Sequence, residues 1–177
     1  LLAGVSYLKL IALLASESTL SLPKGKKDFL STLISAHLFS AVINLSALFL
    51  FAERIKQKNN LSKPALVLLT RAFSTAAFWS PFFAAMGVAI TYAPDASLFQ
   101  LVIQGVPLAI VAALVTYWQV VKVDNNGIEN FQGYPVGIKS FFIPLLLVLG
   151  VFVIHALYPN TSVVLIIAAL AIFLTLI

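Results

Sequence analysis

Residues 29–52, FLSTLISAHLFSAVINLSALFLFA, contain no charged side chain. A helix rises about 1.5 Å per residue, so this run is long enough to cross a hydrocarbon core about 30 Å thick. In a water-soluble domain it would have to be interior on every side. Residues 65–94, 98–121 and 140–158 are further apolar runs, and 1–22 and 163–177 are partial ones. Only 10% of the 177 residues are charged, 61% are hydrophobic, and the mean hydropathy is +1.04. Soluble domains are about a quarter charged. The sequence therefore predicts an all-α fold, a polytopic integral membrane helical bundle with a Pro-broken or re-entrant segment. The chain begins at Leu1 and stops at Ile177 inside an apolar run, which reads as one transmembrane domain truncated at both ends.

The segments differ in character. Residues 1–22 carry Lys9 and Glu17-Ser18-Thr19 and are closed by Pro23-Lys24-Gly25-Lys26-Lys27-Asp28, as in the tail of a span or a re-entrant piece. Residues 29–52 read as one full span. Residues 65–94 are apolar apart from Arg71 but longer than a straight crossing needs, with Pro81 in the middle. Proline removes a backbone donor and crowds the preceding turn, so a kink or break is expected near Trp79-Ser80-Pro81, in a kinked span or a re-entrant hairpin. If every long run crosses once, loops 53–64 and 122–139 share one side with six Lys/Arg, and the other side holds only the three lysines at 24–27. The excess of positive charge then places loops 53–64 and 122–139 in the cytoplasm, with the protein integral to a bacterial inner (cytoplasmic) membrane.

Composition also excludes much. With no cysteine there is no disulfide scaffold, thiolate metal site or thiol nucleophile. The net charge of +5 reports loop orientation and lipid headgroups, and no nucleic-acid-binding pattern accompanies it. No HExxH, Walker A or GxSxG motif and no close carboxylate pair is present. The expectation is a protein that is not an enzyme, with no catalytic residue, cofactor or metal. A membrane enzyme using His37 with Glu17 has no motif behind it. The expected partners are the lipid bilayer, a small-molecule or ion substrate and the remainder of the same chain, while the oligomeric state is unknown.

Polar groups inside hydrocarbon must be stabilised by something, so they carry the functional information. Arg71 lies seven residues beyond Pro64, about 10 Å of helical rise into the run. A charge at a helix centre costs roughly 2.5–3.5 kcal/mol on insertion scales. Ser74 and Thr75 follow at i+3 and i+4 on the same face. A guanidinium flanked by two hydroxyls, beside a break at Ser80 that frees backbone N–H groups at 79–83, suits a carboxylate or oxyanion. The plainer reading lets Arg71 snorkel to headgroups. His37, Ser40 and Asn44 form a stripe at i, i+3 and i+7, which serves either as a proton or ligand site or as interhelical packing. Gln100 and Gln104 face the same choice. The substrate-binding candidates are thus Arg71, Ser74, Thr75, Ser80, His37 and Asn44.

The order of a polar-striped span, a basic loop, a Pro-broken segment reading LLTRAFSTAAFWSPFFAAMGVAITYAP and another span resembles one half of the ion-transporter superfamily of permeases, which includes arsenite, citrate and dicarboxylate carriers. The resemblance covers residues 29–121 and is topological. It implies a re-entrant hairpin and an unwound helix that hold substrate and coupling ion near the midplane. The Ser-Asn-Thr signature of the dicarboxylate branch is missing. The function expected is part of a multi-pass permease moving a small solute, for which Arg71 would suit an anion. The alternative is a non-catalytic membrane scaffold or assembly subunit.

Overall fold

The uncharged run 29–52 is two helices, not one. A computed structural model of the chain describes residues 24–58, 60–93, 95–123, 128–134 and 141–175, and the elements among them are all helical. The readings of residues 1–22, including Lys9 and Glu17, and of Lys139 lie outside these residues. Helix α1 (Lys26–Ile43) ends at Asn44, whose backbone takes φ 54° and ψ −135°, and α2 (Leu45–Lys58) starts at the next residue. Asn44 N–H donates to the Ser40 carbonyl at 3.0 Å, and its own carbonyl accepts from Ala47 N–H, so the reversal is closed on both sides.

The two arms fold back on each other. Phe39 and Phe51 meet at 5.9 Å between ring centroids. Tyr134 touches both arms: its N–H donates to Thr32 Oγ1 at 3.0 Å, and the Arg54 guanidinium carbon lies 5.7 Å from its ring. In one straight helix Thr32 and Arg54 would be about 33 Å apart. The expectation that 29–52 forms one straight span is therefore corrected to a helical hairpin whose two ends lie at the same end of the bundle.

Helix α3 (Lys63–Ala76) begins where Ser62 Oγ accepts the Ala65 N–H and Pro64 occupies the first turn, where its missing donor costs nothing. It stops at residues 77–83, and α4 (Ala84–Tyr92) resumes the chain. Helix α5 (Leu98–Val123) opens on a reciprocal cap, with Gln100 N–H donating to Ser97 Oγ at 3.2 Å and Ser97 N–H to Gln100 Oε1 at 2.9 Å. Gln100 thus serves as a helix cap. Helices α6 (Phe142–Leu157) and α7 (Val163–Thr175) form a second antiparallel pair.

Contacts fix the directions. His37 meets Ala72 and Thr75, Ala41 meets Ser80, and Asn44 meets Phe82, so α1 and α3 run parallel. Helix α5 runs against both, with Gly105 under Phe78 and Tyr117 6.4 Å from Phe29. The core between them is Phe29, Leu33, Phe39, Phe51, Leu68 and Ala72, each nearly fully buried.

Residues 128–134 strap the start of α1. Gly25 N–H donates to the Phe131 carbonyl at 3.0 Å, Gly133 N–H donates to Asp28 Oδ2 at 2.5 Å, and Phe131 packs edge-on to Phe29 at 5.2 Å. One end of the bundle therefore gathers Lys24, Lys26, Lys27, Arg54, Lys56, Lys63 and Lys122. Among the described residues the opposite end, with Tyr92, Asp95, Tyr158 and Asn160, has no lysine or arginine.

Candidate functional site

Two places in this fold concentrate polar groups, and five of the six predicted residues divide between them, Ser74 belonging to neither. The first is where the tip of the α1–α2 hairpin meets the interruption between α3 and α4. Asn44 Nδ2 donates to the Phe82 carbonyl at 3.3 Å. Ser80 is fully buried; its hydroxyl donates to the Ala41 carbonyl and accepts the Phe82 N–H at 3.1 Å. Ser40, one residue before Ala41, is also buried.

The interruption does not leave its amides free. Trp79 and Ser80 N–H both donate to the Ala76 carbonyl, at 3.4 and 3.0 Å, and Phe83 N–H donates to the Ser80 carbonyl at 3.4 Å. Together with the Phe82 bond, every donor from 79 to 83 is used, Pro81 having none. The expected set of free N–H groups is corrected accordingly: a turn that is tightened and capped by a serine consumes the donors that a simple break would release.

The second place is a groove of about 630 Å³ between α1, α3 and α5. Its walls are apolar, with Leu33 and Ile34 facing Val106, Ala109 and Ala113, and its polar members are His37, Arg71, Thr75, Thr116, Tyr117 and Trp79. Arg71 is exposed, and among the described residues its guanidinium has no hydrogen-bond partner. The neighbouring hydroxyls do not flank it as expected. Thr75 Oγ1 donates to the Arg71 carbonyl at 2.7 Å and Ser74 Oγ to the same carbonyl at 3.4 Å, the usual way a helical hydroxyl satisfies itself. Thr75 still faces the groove; Ser74 does not line it.

His37 is tied on both ring nitrogens. Its Nδ1 lies 3.0 Å from Thr75 Oγ1 and 3.2 Å from the Ala72 carbonyl, and Trp79 Nε1 donates to its Nε2 at 3.0 Å. Trp79 is the residue that sequence reading passed over. As an aromatic in an apolar run it gave no signal, although its place two residues before Pro81 put it inside the expected break.

Two residues beyond the six also carry buried polar atoms. Asp28, read as a loop residue, is buried and receives the Gly133 amide. His155 stands in the last turn of α6 beside a recess of about 780 Å³ shared with α4 and the 159–162 turn. Its Nδ1 is buried and, among the described residues, has no hydrogen-bond partner. Among the described residues no three His, Asp or Glu side chains gather where they could share a metal ion. Searches of protein-family models, curated proteins and solved structures find no match to this chain.

Proposed function

We propose that the chain is part of a multi-pass membrane permease, related in plan to the ion-transporter superfamily, that moves a small anionic solute by alternating access. The observation that carries this is the meeting of two interrupted helical elements, Asn44 at a hairpin tip and Ser80–Phe82 at a break. Irregular backbone at membrane depth is tolerated where protein buries it or where it lines a cavity, and transporters place their sites there.

A bilayer around the molecule accounts for its surface. Leu98–Lys122 is long and apolar enough to cross, and only 17% of its most apolar stretch is buried, unlike a core helix of a soluble protein. Leu114, Trp118, Leu149 and Leu157 are each more than half exposed. Soluble monomers rarely leave so much contiguous apolar surface in water. The hairpin also removes a conflict in the charge count. Loops 24–27 and 53–64 now lie at one end, which supports a cytoplasmic position for that end under the positive-inside rule.

Within this reading Arg71 is the anion-binding group, because it is the cation in the groove with an open valence. In the full-length protein reconstituted in liposomes, Arg71→Ala is expected to lower anion uptake about tenfold or more, the loss of a charge-assisted bond worth about 1.5–3 kcal/mol. Membrane abundance should hold. Unchanged uptake would remove Arg71 from the path.

The scaffold reading draws on one observation, that His37, Thr75, Ser80 and Asn44 spend their hydrogen bonds on neighbouring helices. It expects His37→Leu and Asn44→Leu to change assembly or stability with no flux to lose.

A further inference from the structure

We propose that His37 is a proton-binding site whose loading releases Trp79 from α1 and so loosens the interruption between α3 and α4. As the coupling site of a permease it rests on the function proposed above; as a proton site it rests on the hydrogen-bond geometry alone.

The direction of each bond can be worked out. An indole N–H only donates, so the 3.0 Å contact with Trp79 makes His37 Nε2 the acceptor. The single proton of a neutral imidazole then sits on Nδ1, which donates to Thr75 Oγ1 and the Ala72 carbonyl. Thr75 is free to accept because its own proton goes to the Arg71 carbonyl at 2.7 Å. The chain Trp79 to His37 to Thr75 to Arg71 is therefore polarised one way throughout, and His37 is neutral in it.

A second proton can bind only at the Nε2 lone pair, which the Trp79 N–H occupies. Once that proton is on, two donors face each other and the contact cannot persist. Trp79 has to move, and it immediately precedes Ser80, whose hydroxyl clasps the hairpin at the Ala41 carbonyl and caps the Phe82 amide. One proton added to the ring thus acts on the junction between hairpin tip and break. Across the groove the charged or titratable groups facing His37 are Arg71 of α3 and Tyr117 of α5. Helix α2, packed on α1, carries Glu53, Arg54 and Lys56 in its last turns at the basic end. Of the side-chain types in the groove, imidazole is the one whose unperturbed charge change falls in the physiological pH range.

The test uses the full-length protein in liposomes, with the emission of the Trp79→Phe protein subtracted from that of the parent to isolate Trp79. The expected result is a single-proton change in that difference between pH 8 and 5, abolished by His37→Gln, whose amide oxygen still accepts the indole N–H but gains no proton. A second measurement needs no substitution: nitrogen NMR of labelled histidine at pH 8 is expected to show His37 with its proton on Nδ1. A flat Trp79 signal, a titration that survives His37→Gln, or a ring proton on Nε2 would each overturn the proposal. Titration through His37 without any solute flux counts for the proton site and against the permease reading, so the two fail separately.

Discussion

Asn44 and Phe82 join the two points at which this chain abandons helical geometry, the side-chain amide of one donating to the backbone carbonyl of the other at 3.3 Å. Their elements are 38 residues apart in sequence yet parallel in space, so the bond holds a hairpin tip against a helix break at a fixed height. The consequences can be tested one at a time.

Asn44 sits at φ 54° and ψ −135°, a region that costs a residue with a Cβ on the order of 1–3 kcal/mol. Asn44→Ala keeps that strain and loses the bond to Phe82, worth about 1 kcal/mol. Asn44→Gly loses the same bond but relieves the strain. Thermal unfolding in detergent is expected to rank the glycine variant near the parent and the alanine variant below it. The reverse order would mean that the backbone at Asn44 is not strained.

The hairpin makes a topological prediction. The chain has no cysteine, so single substitutions introduce isolated thiols. Lys24→Cys and Lys56→Cys should react with a membrane-impermeant maleimide from the same side, and Ser97→Cys and Asn160→Cys from the other. Labelling of positions 24 and 56 from opposite sides would restore a single crossing at 29–52.

Asp28 anchors the strap over the start of α1 through Gly133 N–H at 2.5 Å. Asp28→Ala leaves that amide unpaired in a buried place and is expected to cost about 1–3 kcal/mol. Gly133→Ala should act on the same contact, since a Cβ there would press on the Thr32 side chain and lie 2.8 Å from the Phe131 ring. The double variant should therefore lose less than the sum of the two, as coupled neighbours do. Simple additivity in unfolding measurements would show that the strap is not one unit.

Glycines 87 and 105 make an internal control. A Cβ at Gly87 meets nothing within 4 Å, so Gly87→Ala should be neutral or stabilise by about 0.4–1 kcal/mol. At Gly105 the same atom would fall on the Phe78 carbonyl, with its carbon 2.6 Å away, and backbone cannot step aside as a side chain can. Gly105→Ala is expected to cost about 1–3 kcal/mol. Equal melting temperatures for the two variants would dissociate α5 from the interruption.

Much of the helical plan was legible in the residues. The long apolar runs gave the all-α class, Pro81 gave the neighbourhood of the break, and Arg71 stood out as a cation in an apolar run. The hairpin at Asn44 was not legible, because no glycine, proline or charge marks the reversal and the apolar pattern is continuous through it. Its single trace was electrostatic: three lysines at 24–27 that conflict with a single crossing at 29–52 and fit the hairpin, which sets them at the same end as 53–64. The tautomer of His37 was equally hidden, since it depends on Trp79, 42 positions away. Local patterns announce where a helix can form; partners across the bundle decide where it turns.

The close seat of Phe78 on Gly105 has one more consequence. With no side chain between them, the break rests directly on α5, the longest apolar helix described. A helix of that kind answers to bilayer thickness by tilting, at a modest cost per ångström of mismatch. In the membrane reading proposed above, any tilt of α5 carries the carbonyl of Phe78 with it, so the thickness of the lipid would become an input to the geometry of the break.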